Sequence, residues 1–126
     1  MSFFNFDKAE RISLKRDIDS LFETGRAVSA GSIRFIYRSA MTRNIAVKVL
    51  ITVPRKKFKK AVHRNRIKRL IREAWRLNRH QLLPLISSTV YLDIAFIYIG
   101  DKPDISFAEI ESSLRTGFVK IARQLT

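Results

Sequence analysis

Apolar and polar positions alternate along this chain with two different periods. In SLKRDIDSLFETG, residues 13–25, Leu14, Ile18, Leu21 and Phe22 recur at i, i+4, i+7 and i+8, which gathers them on one face of a helix. Ser13 is placed to cap that helix and Gly25 to stop it. Residues 26–28 form a short strand. In SIRFIYRS, Ile33, Phe35 and Tyr37 alternate with Arg34 and Arg38, the mark of a strand with one wet face. NIAVKVLITV, residues 44–53, is almost continuously apolar and β-branched, as a strand covered on both faces would be, and Pro54 ends it.

A second long helix is predicted from about Ala61. Ile67, Leu70, Ile71, Ala74 and Leu77 make its apolar stripe, while Asn65, Lys68, Arg69, Arg72, Arg76 and Arg79 cluster on the other side at 100° per residue. Pro84 and the Ser-Ser-Thr that follows form a connection. YLDIAFIYIG is a further strand, closed by a turn at Gly100, Asp101 and Pro103. Ser106 and Glu109 fit a capping box for a last helix with a core face of Phe107, Ile110, Leu114, Phe118, Ile121 and Leu125. Strands joined by helices without strict alternation predict an α+β fold with helices packed on one small sheet. At 126 residues the chain is one domain by length.

Charge changes the picture. The chain has 25 Lys and Arg against 11 Asp and Glu, and twelve of those bases with one acid lie in residues 55–79. That segment carries a net +11, whereas the other 101 residues, with thirteen bases and ten acids, carry +3. Self-repulsion on this scale disfavours a compact state unless something anionic covers it. The bases of the helix are mostly arginines on one face, with only Glu73 among them, and arginine's planar fork suits phosphate. Nucleic acid is therefore the expected partner. A membrane surface fits less well, because the apolar side of the helix is needed for the core. Arginine without a mixture of base-reading side chains favours backbone and shape, hence structured RNA over duplex DNA. Phe22, Phe35 and Tyr37 precede the basic helix and are either core or the lining of an unpaired strand's path.

Other chemistries find little support. No cysteine is present, which excludes disulfides and thiolate metal sites and suits a reducing cytoplasm. His63 and His80 lack acidic neighbours at ligand spacing, the four glycines are isolated, and Glu109 and Glu111 point in different directions on their helix. The longest apolar run, Val90–Ile99, is broken by Asp93 and too short to span a bilayer, and the first eleven residues lack the hydrophobic stretch of a signal peptide.

Within HRNRIKRLIREAWR, the run Arg64-Asn65-Arg66-Ile67-Lys68-Arg69-Leu70-Ile71-Arg72-Glu73 closely resembles the RNR signature of the bacterial ribonuclease P protein subunit. DIDSLFETGRAV resembles that family's first helix, TVPRKKFKKAVHRNR the strand entering the signature, and YLDIAFIYIG the last strand, so the resemblance covers about residues 9–125. It implies a fold like ribosomal protein S5 domain 2, with a left-handed βαβ crossover through the basic helix. It also implies a subunit that assists a catalytic RNA, with magnesium bound mainly by that RNA, in removing the 5′ leader of precursor tRNA. No membrane and no further protein partner would be required, and a noncatalytic RNA-binding or ribosome-associated role is the alternative. By the same resemblance, Arg64, Asn65, Arg66, Lys68, Arg69, Arg72 and Arg76 would hold the catalytic RNA. Ile18, Phe22, Phe35 and Tyr37, helped by Arg55 and Lys56, would bind the leader. Ile18 stands where the family often has an aromatic, which implies apolar contact rather than stacking.

Overall fold

The computed structural model describes residues 10–41, 45–86 and 89–125. Helix α1 (Lys15–Thr24) leads into the hairpin β1 (Arg26–Ala30) and β2 (Ile33–Ser39), then β3 (Val47–Thr52), the long helix α2 (Ala61–Leu82), β4 (Leu92–Tyr98) and helix α3 (Phe107–Leu125). The strands form one sheet in the order β1-β2-β4-β3, antiparallel except for the β3–β4 pair. Parallel neighbours cannot be closed by a hairpin, and α2 supplies the crossover between them.

The pleat divides the sheet into two faces. Phe35 and Tyr37 of β2, Val47 and Val49 of β3, and Ile94, Phe96 and Tyr98 of β4 are buried on the face that carries α2 and α3. There Trp75 of α2 lies between Phe96 and Phe118, each ring centroid 5.6 Å away, and Phe35 meets Phe96 edge to face at 5.5 Å. Such pairs add to area burial. α1 packs on the opposite face, where Ile12, Leu21 and Ala95 form a second, smaller cluster.

Two local expectations are corrected. Leu14, not Ser13, is the residue before the first turn of α1, and no side chain caps it. β3 is not the strand covered on both faces: it lies at the sheet edge and is buried on alternate residues, whereas the central β4 is buried almost throughout. Edge position overrides hydrophobicity here, because β3 has a neighbour on one side only. Part of its free edge is met by the segment before α1, where Arg11 bridges in parallel to Val49 and the Ile12 N–H donates to the Val49 carbonyl at 2.9 Å. At α3 the expected cap is present, with the Glu109 N–H donating to Ser106 Oγ at 3.2 Å.

Gly25 alone connects α1 to β1. Its N–H closes the helix on the Leu21 carbonyl at 2.8 Å, and its backbone is already extended. A Cβ here would lie 2.7 Å from Ile36 Cγ2 and 3.1 Å from the Tyr37 carbonyl, so close approach of helix end and sheet requires glycine.

Candidate nucleic-acid interface

The basic helix buries Ile67, Ile71, Ala74 and Trp75 and turns its charged side outward. Its predicted contact residues divide into three groups. Arg64 and Arg66 hold the protein together: Arg64 Nη1 donates to the carbonyls of Phe58 and Lys59 at 2.7 and 2.9 Å. Arg66 ties α2 to the segment before α3 through the carbonyls of Pro103 and Ile105, both at 2.9 Å. Arg76 is engaged by Glu73, with Nε donating to Oε2 at 3.0 Å and a second bond from Nη2 to Oε1. This hydrogen-bonded partner holds the Glu73 carboxyl below the ordinary glutamate value.

Asn65, Lys68, Arg69 and Arg72 form the third group. With Val62 they line an open groove of about 590 Å³ along the helix. Among the described residues no ion pair reaches Lys68, Arg69 or Arg72. Arg79, expected on this same face, is buried and paired with Glu10 of the segment before α1. It belongs to the interior because the chain before α1 folds back over the end of α2.

The second surface lies on the α1 side of the sheet. Register places three rows across β2, β4 and β3: Arg38–Asp93–Lys48, then Ile36–Ala95–Leu50, then Arg34–Ile97–Thr52. Successive rows are about 7 Å apart, two residues along a strand. The middle row is apolar, and Ile18, Ile36, Leu50 and Ile97 pack half-buried around the small core cluster. Phe22, one helical turn beyond Ile18, is 42% exposed. Ile18 thus packs on this sheet surface, and the Phe22 ring on the next turn of α1 is accessible.

Phe35 and Tyr37 do not belong to this surface. Both point to the α2–α3 side, at 0% and 2% exposure, and the Tyr37 hydroxyl donates to Gln124 Oε1 of α3. The residue between them, Ile36, faces α1 instead, because neighbouring strand residues point to opposite faces. Arg55 and Lys56 are exposed on the segment after β3, at the end of the sheet far from Asp93. Sequence reasoning missed Lys48, Leu50 and Ile97, and of Phe35, Ile36 and Tyr37 it is Ile36 that faces α1; only strand pairing brings Ile36 and those three together.

The two surfaces adjoin. Arg72, on the groove of α2, also borders a shallow depression with Arg11, Ile12, Leu50 and Ile51 at the β3 edge. A cationic helix face on which Lys68, Arg69 and Arg72 meet no ion pair among the described residues therefore runs into a half-apolar sheet surface. Phosphate on the first and unpaired bases on the second are the ligands these chemistries suit.

Residues 6–122 match the protein-family model described as Ribonuclease P. The chain belongs to the ribonuclease P protein family. Among its relatives is the ribonuclease P protein component of Porphyromonas gingivalis, 36% identical over 122 residues that cover 94% of this chain and 88% of the relative. That of Dictyoglomus thermophilum is 40% identical over 84 residues, 65% of this chain and 66% of the relative. Among solved structures, the RNase P protein of Staphylococcus aureus superposes with a TM-score of 0.68 at 27% identity, covering 94% of this chain and all of the other. The RNase P protein of Thermotoga maritima shares the fold, with a TM-score of 0.69 at 24% identity over 88% of this chain and 96% of its own. Family membership implies a component of an endoribonuclease. No helix among the described residues is long and apolar enough to cross a membrane.

Proposed function

We propose that this chain is the protein subunit of ribonuclease P and assists a catalytic RNA in removing the 5′ leader from precursor tRNA. The observation that carries the reading is the adjacency of two surfaces: Lys68, Arg69 and Arg72 on α2, which meet no ion pair among the described residues, and the half-apolar sheet surface at Leu50, which Arg72 borders. In this reading Asn65, Lys68, Arg69 and Arg72 bind the phosphates of the catalytic RNA. Arg64 and Arg66 shape that face by fixing the segments before α2 and α3, and Arg76 contributes with its charge reduced by Glu73. The leader lies over Ile18, Phe22, Ile36 and Leu50, with Arg55 and Lys56 available to phosphates at the far end of the sheet.

Hydrolysis belongs to the RNA and its magnesium. In this reading the chain's own part is to neutralise phosphate and hold the leader. Placing two RNA segments in fixed relation gains rate through orientation without a protein acid or base. The test is to incubate the purified chain with a bacterial catalytic RNA and a precursor tRNA at low magnesium. Correct 5′ cleavage should rise well above that of the RNA alone, and no gain would reject the reading.

A further inference from the structure

Beyond the apolar middle row, the sheet surface ends in a cavity of about 520 Å³ between the start of α1 and the first residues of β3 and β4. This volume is within the range of about 300–1,000 Å³ typical of small-ligand pockets. Its charged lining is Arg11, Asp17, Arg38, Lys48 and Asp93, with the hydroxyls of Ser13 and Ser39 beside them.

The floor is built rather than incidental. Asp93 is only 5% exposed, and register sets it between Arg38 on β2 and Lys48 on β3. Arg38 is fixed from two sides, by Asp93 Oδ2 at 3.4 Å from Nη2 and by the Ser20 hydroxyl of α1, while its buried Nε has no hydrogen-bond partner. Lys48 is half-buried, and among the described residues no ion pair engages its ammonium group.

Among the described residues the lining holds three cations and two carboxylates, which disfavours a bare anion and an apolar ligand alike. A nucleotide has the matching mixture: phosphate oxygens for the cations, and amino or hydroxyl donors for carboxylate. We infer that this cavity is a separate nucleotide subsite of the leader groove, one row past the apolar centre, in which Lys48 takes the phosphate and the Asp93-fixed Arg38 guanidinium orients the unit. The inference rests on the leader-binding reading above.

The test uses the chain assembled with its catalytic RNA and precursor tRNAs that differ only in leader length. Affinity is measured against salt for the unmodified protein, Lys48→Gln and Lys48→Arg, and each chain's melting temperature is checked. Affinity of the unmodified protein should rise in steps as the leader lengthens. Lys48→Gln should lose one step, given by the longer leaders only, and flatten the logarithmic salt slope there by about 0.7, the contribution of one single-strand phosphate. Lys48→Arg should restore both. If leader length matters but Lys48→Gln weakens every length equally, or none, the subsite is wrong and the groove stands. Absence of any leader dependence in the unmodified protein would overturn the groove and the subsite together. Free adenosine monophosphate that binds the chain through Lys48 while the leader steps stay intact would also overturn it, marking a mononucleotide site unrelated to the leader.

Discussion

Gly117 of α3 lies directly on the ring of Phe35, so near that a Cβ at this glycine would sit 2.0 Å from Phe35 Cε1. The helix contributes no side chain of its own here, and the ring of Phe35 from β2 fills the space that α3 leaves open.

The contact makes Phe35 a stability residue. Phe35→Ala should cost about 3–5 kcal/mol of unfolding free energy, as large aromatic truncations in cores do, read from urea denaturation. RNA affinity of the fraction that remains folded should be unchanged. A specific loss of leader affinity at normal stability would return Phe35 to the groove.

Phe22 should behave in the opposite way. Its ring is 42% exposed, so Phe22→Ala should leave the melting temperature nearly constant while weakening leader-bearing substrates by about 1–3 kcal/mol, the value of one base stacked on an aromatic ring. Equilibrium binding with leadered and leaderless substrates separates the two effects.

Arg69 and Arg79 lie on one helix but should fail differently when replaced by alanine. Arg69→Ala removes a surface cation that no ion pair reaches among the described residues, and the logarithmic salt slope for the catalytic RNA should flatten by about 0.9, the contribution of one duplex phosphate contact. Arg79→Ala leaves Glu10 without its partner in a largely buried place and should lower stability by about 3 kcal/mol, the low end for a broken buried pair. Its salt slope should stay that of the unmodified protein. Equal slope changes for both would contradict the buried position of Arg79.

The Glu73–Arg76 pair predicts a titration. The hydrogen bond from Arg76 lowers the Glu73 carboxyl in the folded protein, so the folded state binds this proton less tightly than the unfolded chain. Its contribution to stability is complete above the ordinary glutamate value and is lost as pH falls through the lowered one. Carbon-13 NMR of the Glu73 carboxyl should place its midpoint below that of an unpaired glutamate, and Arg76→Gln should move it back up. An unchanged midpoint in the variant would show that Arg76 is not the cause.

Among the described residues α1, α2, α3, β2, β3 and β4 are legible in the sequence because each carries an apolar stripe long enough to impose its period, whereas β1 buries only Ala30 and is marked by little more than its place before β2. The outward side of α2 is legible for the same reason. What local pattern does not contain is which side of the sheet a helix covers. Alternation in IRFIY puts Phe35 and Tyr37 on one face and Ile36 on the other, yet only the packing of α2 and α3 together decides that the aromatic face is the interior. Arg79 is misplaced by a similar omission, since its partner Glu10 is 69 residues away. The rows containing Lys48 and Asp93 depend on pairing two strands separated by the whole of α2, which no window along the chain spans.

The one-residue joint at Gly25 has a mechanical result. A rod welded to a plate without slack has little room to swing, and Leu21, sealed into the cluster with Ile12 and Ala95, pins it from the side as well. α1 therefore stands along the sheet as a fixed wall.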